Sequence, residues 1–555
     1  MTRADRILPF LPWLAWLIAS LPILLHGLPA GHDWAMEVTR VAEYRHALFA
    51  GQFPPFWAEN LYGGYGSPAF LFYAPLFCGI AAVLSLTGSF LGGTAIAAVA
   101  VLLVGLLTSR WLGQALVGDG SPAPSDNAGR VLAVLFILSP YLVCNGQLRN
   151  AYAELTALCL LPLPLVGILR LKTAASRREV QKAVAIAALG LALVILAHNL
   201  TALLAMVFVL TLGAALVPPR RWPFGLGAIA LALTATSFFW VPALRLQGLV
   251  RLDDLQTGKF DYHVQFKSLV SSFGWQAFYG VGVLPLLLVA AAVPLLRHRN
   301  RAAAVFLAAA FCAVLFQLRL SIPLWENLPF LPLFQFPWRF MGPLTLAAAA
   351  LGALAFAHLP ISARWRGAAE ILLFATALAN VTPHLLDVRA VDSEVREAFE
   401  ASLDADMLRR SASHRVTVLD EYLPRGADGR LWHRLPAVAG PVAGVRGPAS
   451  YNVVLDESRQ IQLQVQAEAA ASLRLARWDF PGWSASIDGQ EVPLRGNNAG
   501  LIDVDVPAGD SLVTLRQQAP WERRLLLWPS AVAWIFILGL FRGHSRHLQG
   551  ANSAP

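Results

Sequence analysis

Asp33, Glu37, Arg40 and Tyr44 recur at helical spacing in GHDWAMEVTRVAEYRHALF, directly after the first long apolar segment of the chain. One face of a short helix can present all four together. A carboxylate near a membrane interface can act as a general base or bind a cation, and Asp33, with His32 before it, is the first candidate. Asp is also a favoured cap at a helix start, and the two roles can coexist. Beyond Gly51 the aromatics and Gly/Pro pairs of FPPFW and NLYGGYGSP favour turns. Aromatics such as Tyr65 could floor a polar substrate there. The same residues also fit a solvated loop with a Trp/Tyr interface belt.

Three further clusters carry polar residues into apolar surroundings, where ionisable groups are costly. In QLRNAYAEL, Arg149, Asn150, Tyr152 and Glu154 stand together. Arg149 and Glu154 could pair with each other, or with Glu37 and Arg40 across the loop, and an arginine there could hold a phosphate oxygen. In LVILAHNLTALLAMVF, His198 and Asn199 mark either a turn or a polar break in one long helix. In LPLFQFPWRF, Gln335, Trp338 and Arg339 open an apolar segment, where Arg339 could meet a substrate phosphate or snorkel to lipid phosphates. The loop 244–275 adds Asp253, Asp254, Lys259, Asp261 and His263 without a recognisable spacing.

The elements that must position these residues are membrane spans. The chain has 555 residues, 56% hydrophobic and 14% charged, against roughly 25% charged in soluble domains. Its net charge of +9 reflects basic loops between apolar segments, as the positive-inside rule expects, and not nucleic-acid binding. Spans of about 17–25 residues are expected near 7–29, 90–109, 129–146, 153–171, 180–197, 199–217, 224–243, 276–296, 302–319, 338–358, 366–384 and 525–542. The first is read as a retained span, since it shows no clear cleavage site. Basic stretches at Lys172–Lys182, Arg220-Arg221, Arg297–Arg301, Arg364–Arg366 and the tail from Arg542 mark the cytoplasmic side, as do Arg3 and Arg6. Both ends can lie inside only if the apolar stretch 69–88 does not cross. It is expected to be interfacial or re-entrant, with a full span and an inverted N-terminal half as the alternative. The four polar clusters then fall on one side of the membrane. Cys78, Cys144, Cys159 and Cys312 lie in apolar stretches without metal-ligand spacing.

Residues 385–415 are charged and read as helix or linker. From about 416 the pattern turns to alternation, in RQIQLQVQAE and GLIDVDVPAGDSLVTLRQ, with turn signals at Asp488-Gly489, Asn497–Gly500 and PAGD. This predicts a small antiparallel sandwich outside the membrane, tethered by the last span. No internal repeat is evident. No phosphate-binding glycine loop, dinucleotide fingerprint, HExxH or Cys/His zinc pattern occurs. An enzyme built this way needs an activated donor delivered from the membrane itself.

Taken together, HDWAMEVTR, LFAGQFPPFW, LYGGYGSPAFLFYAPL, SPYLVCNGQLRNAYAEL, AHNLTAL and FQFPWRF resemble a family of large bacterial membrane proteins. Some of its members are labelled as related to 6-pyruvoyl-tetrahydropterin synthase, although that soluble enzyme's zinc-histidine pattern is not visible. The family is similar to the GT-C class of glycosyltransferases, which take sugars from polyprenyl-phosphate carriers. RWDFPGWSASIDGQEVPL and NNAGLIDVDVPAGDSLVTLR likewise resemble the extracytoplasmic β-domain that ends related enzymes.

The resemblance implies a GT-C-like α-helical polytopic membrane protein of about twelve spans plus an interfacial or re-entrant segment, with a C-terminal extracytoplasmic β-sandwich domain. The expected divisions are a transmembrane domain over 1–384 containing a first outer loop over 30–89, a linker and β-sandwich over 385–524, and a last span and tail over 525–555. The expected location is the bacterial inner membrane, with the β-domain periplasmic. Asp33 would be the catalytic carboxylate and Glu154 a second one. His32, Glu37, Arg40, Tyr65, Arg149, Tyr152, His198, Asn199, Trp338 and Arg339 would bind substrate. The donor would be a polyprenyl-phosphate-linked sugar, and the acceptor a lipid or glycan. Neither a paired Asp-Asp nor an Asp-x-Asp follows the first span, so no obligatory metal and no cofactor is expected. Two other classes share these features: a transporter or flippase of lipid-linked glycans, and a non-catalytic envelope assembly protein. Transporters favour midplane polar sites and paired repeats, and the one-sided polar clusters favour the enzyme.

Overall fold

A computed structural model of the chain describes residues 6–117, 124–274, 280–410, 420–427, 440–457 and 459–542. Arg3 and the basic tail beyond Arg542 lie outside the described residues. Eight helices are long and apolar enough to cross a membrane: Leu8–His26, Phe90–Leu116, Tyr152–Thr173, Arg177–Ala197, Asn199–Leu216, Pro337–Ala357, Trp365–Leu386 and Trp521–Arg542.

Three more expected spans are bent pairs. Ser125–Ile137 and Pro140–Leu148 meet at 48°, Pro219–Ala235 and Ser237–Leu249 at 68°, and Arg301–Leu315 and Arg319–Asn327 at 94°. At the first break Ser139-Pro140 supplies the cause, because proline lacks the amide proton and clashes with the preceding turn. Among the described residues the count is therefore eight to eleven, beside the twelve expected. Of the expected span 276–296, residues 276–279 lie outside the described residues. Its described helix, Leu284–Leu296, is too short to cross about 30 Å of hydrocarbon at about 1.5 Å per residue. The stretch 69–88 breaks at Tyr73-Ala74 and continues as the short apolar helix Pro75–Thr87.

At one end of the bundle the short connections are fixed by charge. Arg110 and Arg130 both engage Asp126, and Arg130 Nε donates to Glu370 at 2.9 Å. Arg221 donates to the carbonyls of Leu171, Lys172 and Ala174. The other end carries the loops read as functional. There the helix Trp34–Phe49 lies after the first span, with Asp33 at its N-cap. Its loop is stitched to the second one by backbone bonds from His32 N to Leu148 O (3.0 Å) and from Asp33 N to Arg149 O (2.9 Å). Gly31 allows this closeness, since a Cβ there would sit 1.7 Å from Asn150 Oδ1.

The charged linker forms the helix Ser393–Ser402, with Asp392 accepting from Glu394 N at 2.9 Å as its cap. Glu400 accepts from Phe90 N (2.5 Å) and Leu91 N (3.0 Å) at the start of one span, and Arg396 donates to His26 O (2.7 Å) at the end of another. Each charge complements the helix end it meets.

The β-region is a sandwich. Its strands are β1 (Val442–Arg446), β2 (Ala449–Glu457), β3 (Gln460–Ala467), β4 (Ala471–Trp478), β5 (Trp483–Ile487), β6 (Gln490–Val492), β7 (Arg495–Gly496), β8 (Leu501–Val506) and β9 (Gly509–Gln517). One sheet has the order β1-β4-β8-β7 and the other β2-β3-β9-β5-β6. Between them Ile461, Leu463, Leu473, Ile502, Val504 and Val513 are fully buried, which the period-two alternation dictates. Asp488 and Gly489 both have positive φ between β5 and β6, the conformation that favours Asp-Gly in tight hairpins. The sandwich and the last span both hold the first loop. Arg477 Nη1 donates to Gly64 O at 3.1 Å, and buried Arg523 donates to the carbonyls of Pro54, Pro55 and Phe70.

Candidate functional site

The loops at this end enclose a cavity of about 840 Å³. Ten of the twelve residues singled out from the sequence line it: His32, Asp33, Glu37, Arg40, Glu154, Arg149, His198, Asn199, Trp338 and Arg339. They arrive from four separate connections, which explains why the clusters looked unrelated in the chain.

Glu154 is the buried centre of one group. Arg149 Nη1 lies 3.3 Å and Arg339 Nε 3.7 Å from its Oε2, and the Tyr141 hydroxyl donates to its Oε1 at 2.6 Å. Of the pairings open to Arg149, the structure forms the one with Glu154. Arg149 also lies over the Trp338 ring at 4.3 Å, and Arg339 over Phe336 at 4.9 Å. Arg339 Nη1 donates to Phe334 O at 2.9 Å and Gln335 Oε1 at 3.2 Å. These contacts set the planes of both guanidiniums and keep their charge in the cavity wall.

Asp33 stands at the N-cap position without a side-chain capping bond. The capping role is therefore not what its side chain does here. Glu154, and not Asp33, pairs with the two arginines, while Asp33 lies within their electrostatic reach.

Glu37 and Arg40 form the second group, at 2.6 Å. The Tyr73 hydroxyl donates to Glu37 at 2.7 Å, and the Tyr73 ring faces Arg40 at 4.0 Å. Burial pushes the Glu37 carboxyl above its ordinary range, against the pull of Arg40 and Tyr73. Tyr44 continues the helical stripe but packs edge-on against Phe70 at 5.1 Å, outside the cavity lining.

His198 and Asn199 sit at a turn between two spans. His198 caps the second through Thr201, and Asn199 Nδ2 donates to Phe72 O at 3.1 Å. Both line the cavity while holding its walls together.

Two residues expected to contact substrate lie outside the cavity lining. Tyr65 packs against Trp478 of β4 at 5.3 Å, where loop and sandwich meet. Tyr152 stacks on Phe77 at 4.7 Å, and its hydroxyl accepts from Asn150 Nδ2 at 2.6 Å. Both are buried packing residues, and neither lines the cavity.

Sequence reasoning missed Tyr73, Tyr141, Glu421 and Tyr422; Asp253 and Lys259, which showed no recognisable spacing, and Gln335, named beside Trp338 and Arg339, also line the cavity. Glu421 and Tyr422 belong to a strap, 420–427, anchored by Arg425. That residue donates from N to Leu249 O at 2.8 Å and pairs with Asp253 at 2.8 Å. Among the described residues no group of three or more His, Cys, Asp or Glu side chains is arranged to hold a metal ion.

The fold defines a multi-spanning membrane protein with a charged cavity at one end of its bundle and a β-sandwich packed beside it. A family model described as "6-pyruvoyl-tetrahydropterin synthase related domain; membrane protein" matches residues 70–385, more than half of the chain, and the chain belongs to that family. No curated protein matches it.

Among solved structures, it is similar to the Archaeoglobus fulgidus oligosaccharyltransferase solved with Zn and sulfate, at 13% identity and TM-score 0.45. That match covers 74% of this chain and 58% of that one, so the chain spans little more than half of that relative. It is similar to the arabinofuranosyltransferase AftD from Mycobacteria at 17% identity and TM-score 0.43, covering 73% of this chain and 29% of that one. ArnT from Cupriavidus metallidurans, solved bound to undecaprenyl phosphate, matches at 13% identity and TM-score 0.39, covering 82% and 84%.

Proposed function

We propose that the chain is a glycosyltransferase of the GT-C type, moving a sugar from a polyprenyl-phosphate donor to an envelope lipid or glycan acceptor on the outer face of the bacterial inner membrane. The observation that carries this reading is the charge balance at Glu154. Buried Arg149 and part-buried Arg339 converge on the one carboxylate Glu154, with Asp33 also in their reach, so a proton taken up by Asp33 leaves one positive charge in the wall for an anion. Arginine suits a phosphate there because its planar donors match the oxygens.

In the proposed step the acceptor hydroxyl gives its proton to Asp33 as its oxygen attacks the anomeric carbon. The bond from that carbon to the phosphate oxygen breaks with inversion, and its electron pair leaves with the polyprenyl phosphate. Arg149 and Arg339 stabilise that departing charge, the kind of preorganised electrostatics that supplies most catalytic power. Glu154 holds both arginines in place, and no metal is given a part. The isoprenoid would run along the apolar bundle, with the sandwich periplasmic.

The test is transfer by the full chain in lipid nanodiscs, using radiolabelled polyprenyl-phosphate sugars and an envelope extract as acceptor. The expected result is label transfer by wild type and none by a folded Asp33→Asn variant. Donor binding without transfer in any extract would point instead to a carrier or assembly protein.

A further inference from the structure

Among the described residues, one oxygen of Glu37 accepts no hydrogen bond. Its side chain lines the cavity and is 3% exposed. Oε1 takes both neighbouring donors, Arg40 Nη1 at 2.6 Å and the Tyr73 hydroxyl at 2.7 Å. Oε2 is buried and meets no donor among the described residues. A carboxylate oxygen removed from water without a partner is costly, so native structures leave few of them without a reason. The reason available here is a ligand that brings the missing donor.

The surroundings say what kind of ligand. Two tyrosine rings stand in the same wall: Tyr73 over Arg40, and Tyr422 stacked on Phe72 at 6.0 Å with 6° between planes. Glu421, 4% exposed, adds a second carboxylate to the lining, and Arg40 feels both Glu421 and Tyr422. Flat rings beside carboxylates match a hydroxylated ring, whose C–H face packs on an aromatic while its hydroxyls donate to acid oxygens. A phosphate does not fit this end, because it would set acceptor against acceptor. A sugar carboxylate fails for the same reason.

We propose that Glu37, with Tyr422 and Glu421 beside it, forms the subsite that reads the sugar of the donor. Glu37 Oε2 accepts from a ring hydroxyl, and the sugar is neutral and not a uronic acid. This rests on the glycosyltransferase reading, which supplies the phosphate seat at Arg149 and Arg339. The cavity is thereby divided by chemistry, phosphate at one group and sugar at the other.

The test is binding to the full chain in nanodiscs, with three probes: bare polyprenyl phosphate, polyprenyl-phosphate glucose and polyprenyl-phosphate glucuronic acid. Wild type is expected to bind the glucose conjugate roughly tenfold or more tighter than the bare phosphate, the scale of a hydrogen bond to a charged group. The glucuronic conjugate should bind no tighter than the bare phosphate. In Glu37→Gln the glucose advantage should vanish while bare-phosphate affinity stays. A monodeoxy-glucose series on wild type asks the same question without a variant, and one position should lose about tenfold. A glucose advantage that survives Glu37→Gln in a folded protein, a full deoxy series binding like its parent, or preference for the uronic acid would each overturn the subsite while leaving the phosphate seat intact. Failure of bare polyprenyl phosphate to bind would overturn the glycosyltransferase reading, and this inference with it.

Discussion

Glu154 carries two positive neighbours on one carboxylate, and that ratio decides what its loss would do. Glu154→Gln takes from buried Arg149 and part-buried Arg339 the carboxylate that both of them face. Removing one partner of a buried pair costs about 3–5 kcal/mol, so a clear drop in thermal midpoint is expected in detergent. Asp33→Asn is the contrasting case. Its side chain makes no capping bond, so the midpoint should hold while transfer falls about 10²–10⁴-fold, the usual worth of a general base. If Asp33→Asn transferred as well as wild type, Asp33 would lose its proposed role.

The helical stripe made Asp33, Glu37 and Arg40 legible, because 3.6-residue periodicity is local. Tyr73 and Tyr422 reach the same cavity from far along the chain, and no spacing rule connects them. Tyr65 and Tyr152 show the converse limit. A tyrosine looks alike in sequence whether it meets a ligand or, as here, Trp478 and Phe77.

At the scale of elements, the joints matter more than the rods. The long apolar spans could be read directly, since nothing but length and hydropathy defines them. The bends at 48°, 68° and 94° could not, because a break of a few residues hardly alters the apolar count. Gly31 is one such joint. Gly31→Ala would push a Cβ against Asn150 Oδ1 and, at 2.8 Å, Leu148 O, parting the loops that bear Asp33 and Arg149. We expect impaired transfer with the sandwich unaffected, checked by activity beside hydrogen exchange of β3 and β9. The linker helix is another. Glu400→Ala removes the acceptor for Phe90 N and Leu91 N, and a lost cap costs about 0.5–2 kcal/mol. Exchange should rise first in the opening turn of Phe90–Leu116.

Across the whole molecule, a buried polar seam joins helix, loop, linker and sandwich. Glu43 accepts from Asn60 N and Nδ2, Arg409 binds Asn60 and Glu59, and Arg477 approaches Glu59 at 3.6 Å. Burial pushes the Glu43 carboxyl up to about 7, with Glu59 adding to the rise and Asn60 and Arg409 opposing it. A carboxyl raised in the folded state favours folding when protonated, so its penalty is absent below about 4.5 and complete above about 7. The thermal midpoint of wild type should therefore fall as pH climbs from 5 to 8, and Glu43→Gln should flatten that part of the curve. An unchanged slope in the variant would remove Glu43 as the source.

Alternation made β3, β8 and β9 legible, and turn residues marked the Asp488-Gly489 hairpin, whereas the seat of the sandwich on the first loop was not legible. That seat depends on buried arginines meeting backbone carbonyls, which leave no pattern. The strap 420–427 sets an order in time as well as in space. Glu421 and Tyr422 leave the ribosome after every described spanning segment except the last, Trp521–Arg542. A nascent chain with those spans inserted still lacks one wall of its cavity, which closes only once residue 422 of 555 has been made.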